Sequence, residues 1–394
     1  MTRGSKKKKG RRGSAIGNLT DDILADIISR VPYKSTCSCK RVCWRWCNLS
    51  PHLTPDHRKK MPQTLTGFFY VTTDISCFPQ KVRYFINPPL PQRRPLVDPA
   101  LSFLPNHEML DILDCCNGLL LCCRWKATHP SEIIRYVVCN PAIEKWVVVP
   151  TTKWSSEAKV YLTFDPAVSS HFHVCEVIEQ RDWDNSYGID IGGVAIYSSK
   201  AGVWTSLDAD ARTRFRTRIT LNKSVFLSGV LHWCASGYNH VALDVEEKNW
   251  KIAPLPRPES GGDEDASYDL FLSHGQLHFT HNGSDELSIW VLEDPNSEIW
   301  TKKYSISRLQ LFGKQYSAAY VGDFSVISVH PQADNLIFIV AGKARTLMSY
   351  QGDSMKRRII RQLGSDGQLR WVYRRHRARL IPYICSLLLR VICR

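Results

Sequence analysis

"SGVLHWCASGYNHVALDVEEKNWKIAPLP", residues 228–256, decides how this chain is to be read. Short apolar runs alternate with Gly, Asn and charged clusters, the pattern of strands joined by turns. Two of its pieces recur. The first is a strand, a polar turn, a Trp and another strand: "VVCNPAIEKWVVVP" from Val137, "VAIYSSKAGVWTSL" from Val194, "VALDVEEKNWKIAPLP" from Val241 and "LSIWVLEDPNSEIWTKKYSI" from Leu287. Its tryptophans stand at 146, 204, 250 and 300, at intervals of 58, 46 and 50, and a degenerate copy, "LMSYQGDSMKRRIIRQLG", has Arg358 at the Trp position 58 residues later. The second is a strand entered through Gly: "NGLLLC" at Asn117, "SGVLHW" at Ser228 and "HGQLHF" at His274, with Gly229 and Gly275 46 apart. Periods of about 40–50 residues holding about four short strands are those of β-propeller blades. Residues 67–382 allow about six irregular blades, and each repeated Trp is expected to pack between adjacent blades as core. Paired glycines, the mark of kelch repeats, stand beside one copy only, at Gly192-Gly193.

Outward from this body the composition changes. The chain has 394 residues and a formal charge of +15, but the basicity sits at its ends. Residues 1–60 carry 15 Lys+Arg against 4 Asp+Glu, residues 343–394 carry 13 against 2, and residues 61–342 are net −7. A nucleic-acid reader carries its basic stripe on the folded body, so a nucleic-acid partner is not expected. The tails alone, Lys6 to Arg12 and "RWVYRRHRARL" from Arg370, would give at most salt-dependent, sequence-blind binding. The first of these runs also has the composition of a nuclear localisation signal. The first twenty residues show no apolar stretch behind the basic run, so the 14 cysteines are expected to be reduced, in nucleus or cytoplasm. The run "IPYICSLLLRVICR" is interrupted by Arg390 and too short to span a membrane.

Residues 1–15 lack hydrophobic periodicity and are expected to be a disordered basic tail. Beyond them, Leu19, Ile23, Leu24, Ile27, Ile28 and Val31 recur at helical spacing, with Thr20 as N-cap and Asp21 and Asp22 in the first turn. Pro32 forbids continuation. A second helix is expected from near Ser35, with Cys39, Val42, Cys43, Trp46 and Leu49 on one side. The organisation expected is therefore a tail (1–15), a small all-α head (16–58), a large all-β domain (67–382) and a basic, apolar C-terminal tail (383–394).

Other chemistries are weaker readings. Cys39, Cys43, Cys47, His52 and His57 lie close together, but without paired Cys-x2-Cys knuckles, and three Cys at i, i+4 and i+8 are what a buried helix stripe gives. No metal or cofactor is expected. Cys115-Cys116 and Cys122-Cys123 flank a Gly-containing strand, so neighbouring thiols should point to opposite faces, one into the core and one outward. No hydrolase, nucleotide or zinc-protease motif is present; "HEML" at His107 lacks a second His, and "GGDEDASYD" at Gly261 reads as a solvated acidic loop.

The head resembles an F-box, and the body is similar to the F-box-associated, propeller-like domain of the large plant F-box family. Against the family text "LPDDLLxEILxRLPxKSLLRFRCVCKxW", this chain has Leu19, Asp22, Ile23, Leu24, Ile27, Arg30, Val31, Pro32, Lys34, Ser35, Val42, Cys43 and Trp46 in register. "CNGLLLC", "NPAIEKWVVVP", "FDPAVSSHFHV", "FLSGVLHW" and "ELSIWVLED" follow in family order. Thr36 and Cys37 replace the usual two leucines, and Trp44 replaces a usual Lys. The resemblance implies a non-catalytic substrate-recognition subunit of an SCF-type ubiquitin ligase. The head would bind a Skp-type adaptor, and through it a cullin-RING ligase, by Leu19, Ile23, Leu24, Ile27, Val31, Pro32, Val42, Cys43 and Trp46. The β-domain would bind a protein substrate whose identity and contact residues the sequence does not give. The alternative is a protein-binding module outside a ligase, with a degenerate F-box. A segment of some forty residues cannot hide this much apolar surface among its own short helices, so its surplus face calls for a partner.

Overall fold

The computed structural model describes residues 19–30, 44–49, 64–73, 81–86, 97–125, 133–153, 155, 158–181, 189–208, 219–235, 237–257, 267–283, 285–294, 298–313, 324–342, 345–363 and 380–385. The chain divides into two compact units, Met1–Pro62 and Gln63–Arg394.

In the first unit, helix α1 (Asp21–Ser29) places Leu24, Ala25 and Ile28 on its buried side, with two aspartates in its first turn. Thr20 has the extended backbone of an N-cap, and its carbonyl accepts the Leu24 N–H at 3.1 Å, although its side chain makes no capping bond. The second helix is described as α2 (Trp44–Leu49). Leu24 and Ile28 pack with Leu49, and Leu19 and Trp46 close the cluster.

The second unit is a six-bladed β-propeller. Five blades have four antiparallel strands each. Blade 1 is β3 (Leu110–Cys116), β4 (Leu119–Trp125), β5 (Ile133–Asn140) and β6 (Lys145–Val149); blade 2 is β7 (Lys159–Thr163), β8 (His173–Arg181), β9 (Ile189–Ser198) and β10 (Val203–Asp208). Blade 3 is β11 (Ile219–Leu227), β12 (Val230–Ala235), β13 (Asn239–Asp244) and β14 (Trp250–Pro254); blade 4 is β15 (Ser267–Ser273), β16 (Gln276–Asn282), β17 (Glu286–Leu292) and β18 (Trp300–Ser307). A short helix, α3 (Arg308–Phe312), leads to blade 5, β19 (Phe324–His330), β20 (Ala333–Ala341), β21 (Thr346–Gln351) and β22 (Lys356–Gln362). The sixth blade joins distant parts of the chain: β1 (Thr64–Thr73) pairs with β2 (Lys81–Ile86) on one side and β23 (Leu380–Cys385) on the other. The inner strands β3, β7, β11, β15, β19 and β23 touch in that order and back to β3, so the ring is closed.

The body therefore begins at Thr64 rather than residue 67, and its last strand runs to Cys385, past the tail boundary expected at 383. Pro382 lies inside this strand. It sits opposite Phe68 on a strand with one neighbour, where a missing N–H is tolerated. The sixth sheet has three strands among the described residues. Buried Arg83 of β2 fastens the described segment 97–109 that leads into β3. Its guanidinium donates to the carbonyls of Leu110 (2.5 Å), His107 (2.5 Å) and Ala100 (2.7 Å).

The apolar core lies in the seams between blades. One cluster joins Tyr136 and Leu121 of blade 1 to Val174 and Tyr197 of blade 2, and another joins Tyr161 of blade 2 to Trp233 of blade 3. Two more fill the seams of blades 3 and 4 and of blades 4 and 5, and a fifth ties blade 5 to β1 and β2. The repeated Gly elements are two-residue hairpin turns: Asn117-Gly118, Ser228-Gly229 and His274-Gly275 all have positive φ at both positions, as type I′ geometry demands.

The repeated tryptophans open or nearly open the outermost strands. Trp204, Trp250 and Trp300, half-buried, pack against the clusters between blades as expected, at the outer margin of each seam, whereas Trp146 is 38% exposed and joins none of them. Trp204 donates its indole N–H to the Pro150 carbonyl of blade 1 at 2.8 Å, and Trp300 meets the His240 ring of blade 3 edge-on at 6.0 Å.

Candidate functional site

In the head, the helical period separates two apolar groups on α1. Leu24 is fully buried, whereas Ile23 is 49% and Ile27 40% exposed. Four residues apart, these two form one stripe on the helix surface. Leu24 and Trp46, read together with them from the sequence, belong to the head's own small core, as does Leu19. Arg45 of α2 holds the frame: its Nε donates to Asp21 Oδ1 at 2.7 Å and its Nη2 to the Leu19 carbonyl at 2.6 Å. Arg45 carried no signal in the sequence, because a basic residue on a short helix looks like a solvated one. Val31, Pro32, Val42 and Cys43, with Thr36 and Cys37, lie outside the described residues or side chains, as do the five Cys and His weighed as zinc ligands, the Lys6–Arg12 run and the Arg370 segment.

In the propeller the two rims differ. Turns of two residues, 117–118, 228–229, 274–275 and 331–332, lie on one rim, together with the turns from third to fourth strands. The opposite rim carries the ends of the fourth strands and the starts of the first strands that follow them, among them Asp208 and Ile219, and Gln362 and Leu380. Because β1 is the second strand of its blade and β23 the first, the chain enters and leaves the propeller at the tight-turn rim. The opposite rim thus carries neither the start of β1 nor the end of β23.

Buried polar groups pin the blades. Lys223 on β11 donates to the Val326 carbonyl on β19 at 2.6 Å and lies 3.4 Å from Asp269 Oδ2 on β15, bridging three inner strands. Burial lowers its pKa, opposed by Asp269. Glu176, fully buried, accepts from Ser155 and Thr152 hydroxyls at 2.5 Å. His232 Nδ1 and His240 Nε2 are 2.9 Å apart in a stacked pair. The thiol expectation needs correction on one point: Cys122 and Cys123 are both fully buried, because β4 is covered on both faces. Burial pushes the Cys175 thiol up to about 12 and raises Cys116 and Cys234, which keeps them protonated and unreactive. Among the described residues no group of three or more His, Cys, Asp or Glu could hold a metal ion, and no helix is long and apolar enough to cross a membrane.

Comparison with known proteins places both units. A family model described as "F-box protein At3g26010-like, beta-propeller" matches residues 98–373, and the F-box domain model matches residues 16–57. Relatives in Arabidopsis thaliana include F-box protein At5g07610, 26% identical over 302 residues, covering 73% of this chain and 70% of the relative. F-box protein At5g49610 is 22% identical over 332 residues, covering 79% and 86%.

Proposed function

Because this chain belongs to the family of F-box proteins with an At3g26010-like β-propeller, we propose that it is a non-catalytic substrate receptor of an SCF-type ubiquitin ligase. The head binds a Skp-type adaptor, and through it a cullin-RING ligase, while the propeller holds the protein to be ubiquitylated. The observation that carries the reading is the exposed Ile23 and Ile27 stripe inside the matched F-box segment. Fully burying an exposed aliphatic side chain yields roughly 1.5–3 kcal/mol; with Ile23 49% and Ile27 40% exposed, a partner covering both gains about as much as from one such side chain. Leu24, Leu19 and Trp46 contribute by holding α1 in shape. The rim opposite the tight turns, which carries neither the start of β1 nor the end of β23, is the face offered to the substrate. The Lys6–Arg12 run would direct the protein to the nucleus, with the cytoplasm as the other compartment.

The test is adaptor capture by the full chain. Ile23→Asp with Ile27→Asp should abolish binding of a Skp-type adaptor while the melting of the propeller stays unchanged. Failure of the unaltered chain to bind any Skp-type adaptor would favour the second reading, a binding module with a degenerate F-box. Thr36 and Cys37, in place of two leucines, are the residues that support that alternative.

A further inference from the structure

The outermost strand of blade 5 departs from those of the other four-stranded blades. β6, β10, β14 and β18 carry a Trp at their start, whereas β22 reads "KRRIIRQ" and is exposed at every residue except half-buried Ile360. Its pairing with β21 slips between Leu347 and Met348, leaving Ile360 as the extra residue of a bulge. Lys356 stands opposite Gln351, Arg358 opposite Ser349 and Arg361 opposite Leu347. Without the bulge Arg361 would fall on the face of Ile359. With it, Lys356, Arg358 and Arg361 share one face, repeating at roughly 7 Å, the two-residue step of a strand.

None of the three is ion-paired among the described residues. Arg361 lies 5.9 Å from the Tyr70 ring, which stacks on Tyr84. The opposite face and the preceding turn present Ile359, 60% exposed, and Met355, 62% exposed. In the sheet order β19-β20-β21-β22, this strand is the edge, with its outward backbone donors and acceptors unpaired by any strand among the described residues.

We propose that β22 is a docking edge for an extended acidic segment of a partner protein, which adds to blade 5 as a fifth strand. Main-chain bonds to the edge supply affinity and alternate side chains supply specificity in this mode. Carboxylates at every second position of an extended peptide repeat at the spacing of Lys356, Arg358 and Arg361, and apolar residues between them meet Ile359 and Met355. A nucleic acid would satisfy the three cations but neither the backbone edge nor the exposed apolar side chains. The proposal goes beyond the ligase reading and does not depend on adaptor binding.

The experiment uses the full chain and fluorescence anisotropy with three probes: an eight-residue peptide alternating Glu and Val, its block isomer with four Glu followed by four Val, and an oligothymidine. The alternating peptide should bind, slow amide exchange across 356–362, and lose affinity about tenfold or more in Arg358→Glu/Arg361→Glu. If that variant melts below the unaltered chain, Arg358→Gln/Arg361→Gln supplies the comparison. Equal binding of the block isomer overturns strand addition in favour of a plain charged patch, and binding of oligothymidine alone overturns the polypeptide partner. Binding of no peptide would mean that the basic side chains only protect the edge from aggregation.

Discussion

At Gly67 on β1 an added Cβ would overlap the Ile86 carbonyl oxygen and come within 2.5 Å of the Phe85 ring. The obstacle is partly backbone, so it cannot swing aside. Gly67→Ala should destabilise the propeller by about 1–3 kcal/mol, read as a lower urea midpoint at unchanged slope. The His232 and His240 pair makes a second residue-level prediction. Burial first, then the neighbouring charge of His240, lowers His232 to about 3; burial and Lys251 lower His240 to about 4. An unfolded histidine takes up its proton near pH ~6.5, while the folded pair resists until pH 3–4. Their contribution is therefore complete above pH ~6.5 and is lost as pH falls toward 4. His173, His278 and His330, also lowered by burial, act in the same direction. His232→Phe/His240→Phe should accordingly lose less stability between pH 7 and pH 5 than the unaltered chain, by about 1 kcal/mol or more, in urea titrations at the two values. At this scale the x-Gly turns were legible because positive φ restricts residue choice. Ile23 and Leu24 were not separable, since both are apolar residues on one short helix and only docking against Leu49 decides which is covered.

Among the elements, β23 closes the ring between β19 and β3. Its Tyr383 is fully buried, packs edge-on against Phe69 at 5.6 Å and donates its hydroxyl to the Gly118 carbonyl at 3.3 Å. Tyr383→Ala should cost about 3 kcal/mol or more, with loss of a single sharp transition in calorimetry. Four-stranded blades were readable because a local hairpin period repeats in them. The sixth blade was not, because its strands lie more than 300 residues apart and no local pattern announces that pairing. The outermost strands carried a clear Trp signal, which marked the seams for Trp204, Trp250 and Trp300 but not for Trp146. An aromatic beside a turn can sit at a seam or stay exposed, and only the neighbouring blade shows which.

For the whole molecule, the division at residue 62 separates a head held by a few apolar contacts from a ring whose core is distributed over its seams. Residues 63–394 expressed alone should therefore melt within about 2 °C of the propeller transition in the full chain, as followed by tryptophan fluorescence; a 1 kcal/mol loss would move it by about 2–4 °C.

The splice of β1 to β23 also bears on how the molecule behaves when crowded with copies of itself. Blades 1 to 5 can assemble from neighbouring segments, but the last pairing must wait for two remote strands to meet, and contacts of such long sequence separation form slowly. During that interval an open ring presents an unmated β1, and the β23 of another molecule satisfies it equally well. Refolding at high concentration should thus yield reciprocally exchanged dimers and open chains alongside the monomer.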